Sequence, residues 1–228
     1  MGWWRRIEGS AWDLKQESKP VPDAYSLGSS VTSSTNIMLE QQIKGEITMA
    51  TGQNNQLTRQ IGEHLVTAEL GRLGIIASPF AGYVQDIDLL AYKDGKAFPI
   101  QVKAICGGSW QFDVKKFVNV KIDGKKQIVE KIIVNNNRHL SHLLYVFVVI
   151  GSYGEDKFFV LEWSDLAEIL IDNYKAYLDS HDGVRPKAHK STHAAISPKD
   201  IAKYMVDVKD PKGQDKWMAM INANLEKY

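Results

Sequence analysis

The chain has 228 residues, 44% of them hydrophobic, and a formal net charge of +1, which suits one domain with appendages around an ordinary core. Near-neutral charge excludes a globally basic coat for nucleic acid, and the single cysteine, Cys106, excludes an intrachain disulfide framework and suits a reducing, cytoplasmic setting. The longest apolar run, Leu143 to Ile150, is of strand length and far short of the roughly 20 residues a bilayer requires, so no membrane association is expected.

Residues 1–50 carry Pro20-Val21-Pro22 and a Ser/Thr-rich run from Ser29 to Thr35 without a sustained hydrophobic period, so a disordered N-terminal extension is expected there. Met1 to Arg6 is basic and aromatic but lacks the apolar stretch and small-residue cleavage site of a signal peptide. Met49-Ala50-Thr51-Gly52 reads as a natural start just ahead of the first strong helix, which makes the preceding residues an upstream extension or an alternative initiation product.

From Leu57 to Leu73, apolar residues at Leu57, Ile61, Leu65, Ala68 and Leu73 recur at helical spacing, and Gly74 ends the helix. Ile75 to Phe80 reads as a short strand. Two further strands follow, one after Asp88 and one through Gln101, joined by a turn at Lys93-Asp94-Gly95-Lys96. Side chains two apart on a strand share a face, so Gln101 and Lys103 point one way and Ile100 and Val102 the other. The antiparallel return brings Asp88 near Gln101.

Phe117 to Lys121 and Gln127 to Val134 flank Asp123-Gly124 and predict a hairpin. From Gln101 to Arg138 there are eight Lys or Arg residues against three acids, a basic ribbon able to hold phosphates through Lys115, Lys116 and Arg138. Trp110 and Phe112 read as core aromatics. Leu143 to Ile150 predicts a central strand buried on both faces, and Phe158 to Leu161 another strand. Ser164 is a candidate N-cap for a helix to about Leu178, broken by His181-Asp182-Gly183. In the loop from Arg185 to His193, Arg185 and Lys187 are suited to phosphate contacts. Ser197-Pro198-Lys199-Asp200 predicts a further helix start, and Gln214 to Leu225 a closing helix. The histidines toward the C-terminus, His181, His189 and His193, read as solvated or hydrogen-bonded rather than zinc-binding, because Gly183, Pro186 and Pro198 imply loop.

This order of helix, strands and helices predicts an α/β (α+β) chain with a mixed central sheet and a helical C-terminal extension. Residues 51–178 would form the core, and 179–228 a loop and helices packed on it. No Gly-x-x-x-x-Gly-Lys-Ser/Thr loop and no Gly-x-Ser-x-Gly elbow occur, which disfavours an ATP motor and a serine hydrolase.

Three polar groups at one edge of a buried sheet suit a metal-dependent phosphodiesterase. Mg²⁺ prefers oxygen ligands and keeps several waters, so the carboxylate of Asp88, the amide oxygen of Gln101 and the backbone oxygen of Val102 can hold it. Lys103 would orient or deprotonate the attacking water. Glu63 on the leading helix, Asp88 at a strand start and Gln101-x-Lys103 on the next strand resemble the PD-(D/E)XK nuclease superfamily, in the Gln-x-Lys form of Mrr-type restriction endonucleases and with the core arrangement of Holliday junction resolvases. The resemblance spans roughly Leu57 to Trp163. It implies a restriction-endonuclease-like fold, cleavage of DNA with Mg²⁺ or Mn²⁺, assistance from Glu63, and a homodimer. Aligned strand to strand, Asp88 rather than Asp86 takes the metal position. Gln101 stands where such nucleases more usually carry Glu, which removes one negative charge from the site. Two other readings remain: a nucleic-acid-binding module of the same fold without hydrolysis, and a protein-interaction or regulatory domain using the basic hairpin.

Overall fold

Two-residue periodicity in the strands and one buried stripe on each helix set the described residues in three layers. The computed structural model describes residues 51–80, 86–132 and 142–227. The N-terminal extension expected over 1–50 and the predicted phosphate contact Arg138 lie outside the described residues.

Helix α1 spans Thr51–Arg72, beginning six positions before its first apolar repeat at Leu57. Strands β1 (Ile76–Pro79), β2 (Leu89–Lys93) and β3 (Lys96–Ile105) follow as an antiparallel meander. The β2–β3 turn has positive φ at both Asp94 (50°) and Gly95 (82°), the backbone that matches strand twist and that Asp-Gly adopts at little cost. After β4 (Trp110–Asp113), a 3₁₀ turn at Val114–Lys116 and the hairpin of β5 (Val118–Asp123) and β6 (Lys126–Ile132), the chain returns as β7 (Leu144–Val149). Strand β7 runs parallel to β3, pairing Gln101 with Tyr145 and Lys103 with Phe147. Strand β8 (Lys157–Glu162), helix α2 (Trp163–Asp179), β9 (His193–Ile196), a 3₁₀ turn at Ala202–Tyr204, β10 (Met205–Val206) and helix α3 (Pro211–Leu225) complete it. The main sheet has six strands in the order β1-β2-β3-β7-β8-β10, while β4–β9 and β5–β6 form separate pairs.

Strand β7 shows why the layers form. Leu143, Tyr145 and Phe147 join the cluster of α2, β4 and β9, whereas Leu144, Val146 and Val148 join that of α1 and α3. A strand apolar at every position is buried on both faces, as its sequence predicts, and the α/β class with a mixed central sheet flanked by helices is what the topology shows.

Local signals were overridden where burial opposed them. Ser164 does not cap α2: the N-cap is Glu162, without a side-chain bond, because Trp163 enters the core as the first helical residue. The Ser197–Asp200 pairing forms, with Ser197 N and Oγ donating to Asp200 Oδ2 at 2.7 and 2.8 Å. It closes a single turn that leads into a 3₁₀ turn rather than an α-helix, since Ile201 is fully buried and the chain moves on to β10. The second hairpin turns at Gly124-Lys125 rather than Asp123-Gly124, because Asp123 pairs with Lys126 and of the two turn residues only Gly124 has positive φ, 58°. Helix α3 begins at Pro211, not Gln214, with Asp210 as N-cap accepting from Lys212 N at 3.3 Å.

Candidate functional site

Asp88 lies one residue before β2 begins and is tied to both neighbouring strands. Its N–H donates to Ile100 O at 3.0 Å and its carbonyl accepts from Phe80 N at 3.2 Å. Its Oδ2 accepts the Val102 N–H at 2.8 Å. Strand β2 has already run out at this level, so the carboxylate takes the place of the missing backbone partner of β3.

Gln101 and Lys103 are half-buried on the β3 face that carries Tyr145 and Phe147 on β7. Burial pushes the Lys103 ammonium below its usual pKa; Asp88 opposes this, Lys116 adds to it, Asp86 opposes it and Arg59 adds to it. Its Nζ stands 5.9 Å from the centre of the Phe112 ring. A desolvated lysine releases its proton more readily than a solvated one, and here burial outweighs the pull of the carboxylates.

Asp86 is a member of this cluster that strand alignment passed over. Its backbone is left-handed, with φ of 63°, its side chain is 7% exposed, and it is ion-paired with Lys116 Nζ. The available signals were its place two residues before Asp88 and the tolerance of aspartate for left-handed backbone. Lys116, predicted as a phosphate contact, sits on the 3₁₀ turn with its side chain 45% exposed.

Glu63 reaches the sheet from the opposite layer. Helix α1 packs against β3 through Gly62, where an added Cβ would lie 2.4 Å from Ala104 Cβ, and only a glycine permits that approach. Glu63 is buried and its Oε1 accepts from Arg59 Nε at 2.9 Å, one turn earlier on the same helix. Its carboxylate is thus engaged on α1.

The other predicted phosphate contacts are dispersed. Lys115 is exposed on the 3₁₀ turn, where its N–H donates to Asp113 Oδ1 at 3.1 Å, and Lys187 is exposed on the loop after α2. Arg185 donates to the His193 carbonyl and lies over the rings of Tyr177 and Tyr174 at 5.0 and 5.9 Å, contacts that anchor its loop. Gln127, whose role sequence patterning missed, fastens the basic hairpin. Its Nε2 donates to the carbonyls of Ser191, at 3.0 Å, and His189, and its Oε1 accepts from Tyr174 OH. Burial raises the pKa of that tyrosine, with Arg185 opposing. Trp110 and Phe112 are core residues, with Trp110 edge-on to Phe147 at 4.9 Å.

The candidate donors on β3 and just before β2 are all oxygens: the carboxylate of Asp88, the Gln101 amide and the Val102 carbonyl. Among the described residues no group of three or more His, Cys, Asp or Glu side chains is placed to hold a metal. Oxygen donors of this kind are those a hard cation such as Mg²⁺ or Mn²⁺ takes, and not those of Zn²⁺.

No family model matches the chain, and no curated protein matches it in sequence. Among solved structures it is similar to the bacterial homing endonuclease I-Ssp6803I, with a TM-score of 0.39 and 11% identity, over 77% of this chain and 95% of that one. At this similarity the likeness bears on neither chemistry nor substrate. Among the described residues no helix is long and apolar enough to cross a membrane.

Proposed function

We propose that this protein is a metal-dependent nuclease that hydrolyses phosphodiester bonds, with DNA as its substrate, at the edge formed by Asp88, Gln101, Val102 and Lys103. The observation that carries the reading is a half-buried Asp88, fixed by Val102 N at 2.8 Å, whose charge acts on Lys103, an ammonium that burial disfavours. Asp88, the Gln101 amide oxygen and the Val102 carbonyl would hold Mg²⁺ or Mn²⁺, which when bound neutralises charge developing on the phosphoryl oxygens. Lys103 Nζ orients the attacking water and, when neutral, takes its proton. Lys115, Lys116 and Lys187 supply positive charge for the phosphate backbone, which positions a strand without reading its bases. The Gln-x-Lys spacing on β3 and the position of Asp88 at the start of β2 support placing the chain near the PD-(D/E)XK nucleases.

A second reading keeps nucleic-acid binding without hydrolysis. Gln101 favours it, because a neutral amide binds a divalent cation more weakly than a carboxylate.

Cleavage of labelled single-stranded, duplex and four-way-junction DNA with Mg²⁺ or Mn²⁺, by the native chain and by Asp88→Ala and Lys103→Ala, tests both. The nuclease reading expects cleavage that both substitutions abolish while binding persists. Salt-sensitive binding without cleavage under every condition selects the second reading. Absence of both leaves a role in protein interaction through the basic hairpin.

A further inference from the structure

We propose that Asp86 is a second anionic ligand of the cation site, neutralised by Lys116 until a divalent cation displaces that lysine; this rests on the cation site proposed above. The site as read from β3 carries one carboxylate, since Gln101 is neutral. Asp86 supplies another. Its side chain is 7% exposed, its left-handed backbone costs energy in a non-glycine residue, and it stands two residues before Asp88, ahead of β2. A carboxylate with so little of its side chain in water requires compensation, and Lys116 provides it.

The two partners differ in freedom. Asp86 is 7% exposed, whereas Lys116 is 45% exposed on a surface 3₁₀ turn. A lysine is a point charge on a flexible stem, so it can exchange the carboxylate for solvent or for a nearby phosphate at small cost. A divalent cation brings twice its charge to the same oxygens. The ion pair thus keeps Asp86 compensated in the free protein and yields it on loading. Cation and phosphate binding become coupled, because each takes one half of the pair.

Calorimetric titration of the full chain with MnCl₂, without DNA, tests this. Asp86→Asn is the informative substitution, since asparagine also adopts left-handed backbone; near-ultraviolet circular dichroism checks that the fold is kept. Asp86→Asn is expected to weaken Mn²⁺ binding by about tenfold or more, following the loss of one ligand charge. Lys116→Gln is expected to tighten it, because the competing cation is gone. Native-like affinity in Asp86→Asn, with binding lost in Asp88→Asn, overturns the role of Asp86 and leaves the cation site standing. Unchanged or weaker binding in Lys116→Gln also overturns it. No Mn²⁺ binding by the native chain overturns both this inference and the cation site.

Discussion

Asp88 and Val102 are joined by a hydrogen bond that no strand pairing supplies: a carboxylate oxygen accepts a backbone N–H at 2.8 Å, fourteen positions along the chain. One side chain thereby holds the end of β2 against β3 and presents charge at the same point. The two duties are separable. Asp88→Ala removes the acceptor of a buried N–H and is expected to cost about 1–2 kcal/mol. Asp88→Asn keeps an oxygen there and is expected to retain most of the stability while losing cation binding. Urea unfolding of both variants beside Mn²⁺ titration checks the separation.

Lys103 makes stability depend on pH in the alkaline range. Its folded-state pKa lies below the usual 10.5. Below the lowered value the lysine is protonated in both states; between it and 10.5 the unfolded chain holds the extra proton, so stability rises with pH across that window. Lys103→Met is expected to lack this increment, seen as a shallower rise in unfolding free energy than in the native chain over the same buffers. The cleavage rate is expected to rise with pH over the lower part of the window if the neutral amine acts as base.

Gly62 sets how closely α1 approaches β3. Gly62→Ala places a methyl 2.4 Å from Ala104 Cβ, so the helix must lift, and a loss of about 1–3 kcal/mol is expected. Arg59, one turn before Gly62, acts on the Lys103 ammonium, so cleavage is expected to fall as well. A Gly62→Ala chain as stable as the native one would mean that helix and sheet separate freely.

Tyr174 and Gln127 hold the basic hairpin to α2. Tyr174→Phe leaves Gln127 Oε1 without its hydroxyl partner, at an expected cost of about 1–3 kcal/mol. Hydrogen exchange is expected to accelerate at β6 and at Ser191 more than in β3 or β7. Uniform acceleration throughout would show instead that the network stabilises the whole fold.

Gln101→Glu returns a carboxylate to β3. It is expected to tighten Mn²⁺ binding by about tenfold, as ligand charge count predicts. Unaltered affinity in that variant would argue that the Gln101 side chain is not a ligand.

Much of the frame is set by periodicity, a local property of the chain. The run from Leu143 to Ile150 pointed to a central strand covered on both faces, and the two-residue repeat put Gln101 and Lys103 on one side of β3. The turn at Asp94-Gly95 follows from backbone preference alone. Other features depended on what the fold brings together. Whether Ser164 or Ser197 starts a helix was decided by the burial of Trp163 and Ile201, which outweighs a cap. That Asp86 belongs with Lys116, thirty positions away, and that Gln127 binds the loop before β9, depend on the crossover from β3 to β7. No spacing encodes such contacts. The same holds for Lys103: its residue type is written in the chain, but the loss of water that makes its ammonium unfavourable arises only when Phe112, Phe147 and the β2 edge close around it.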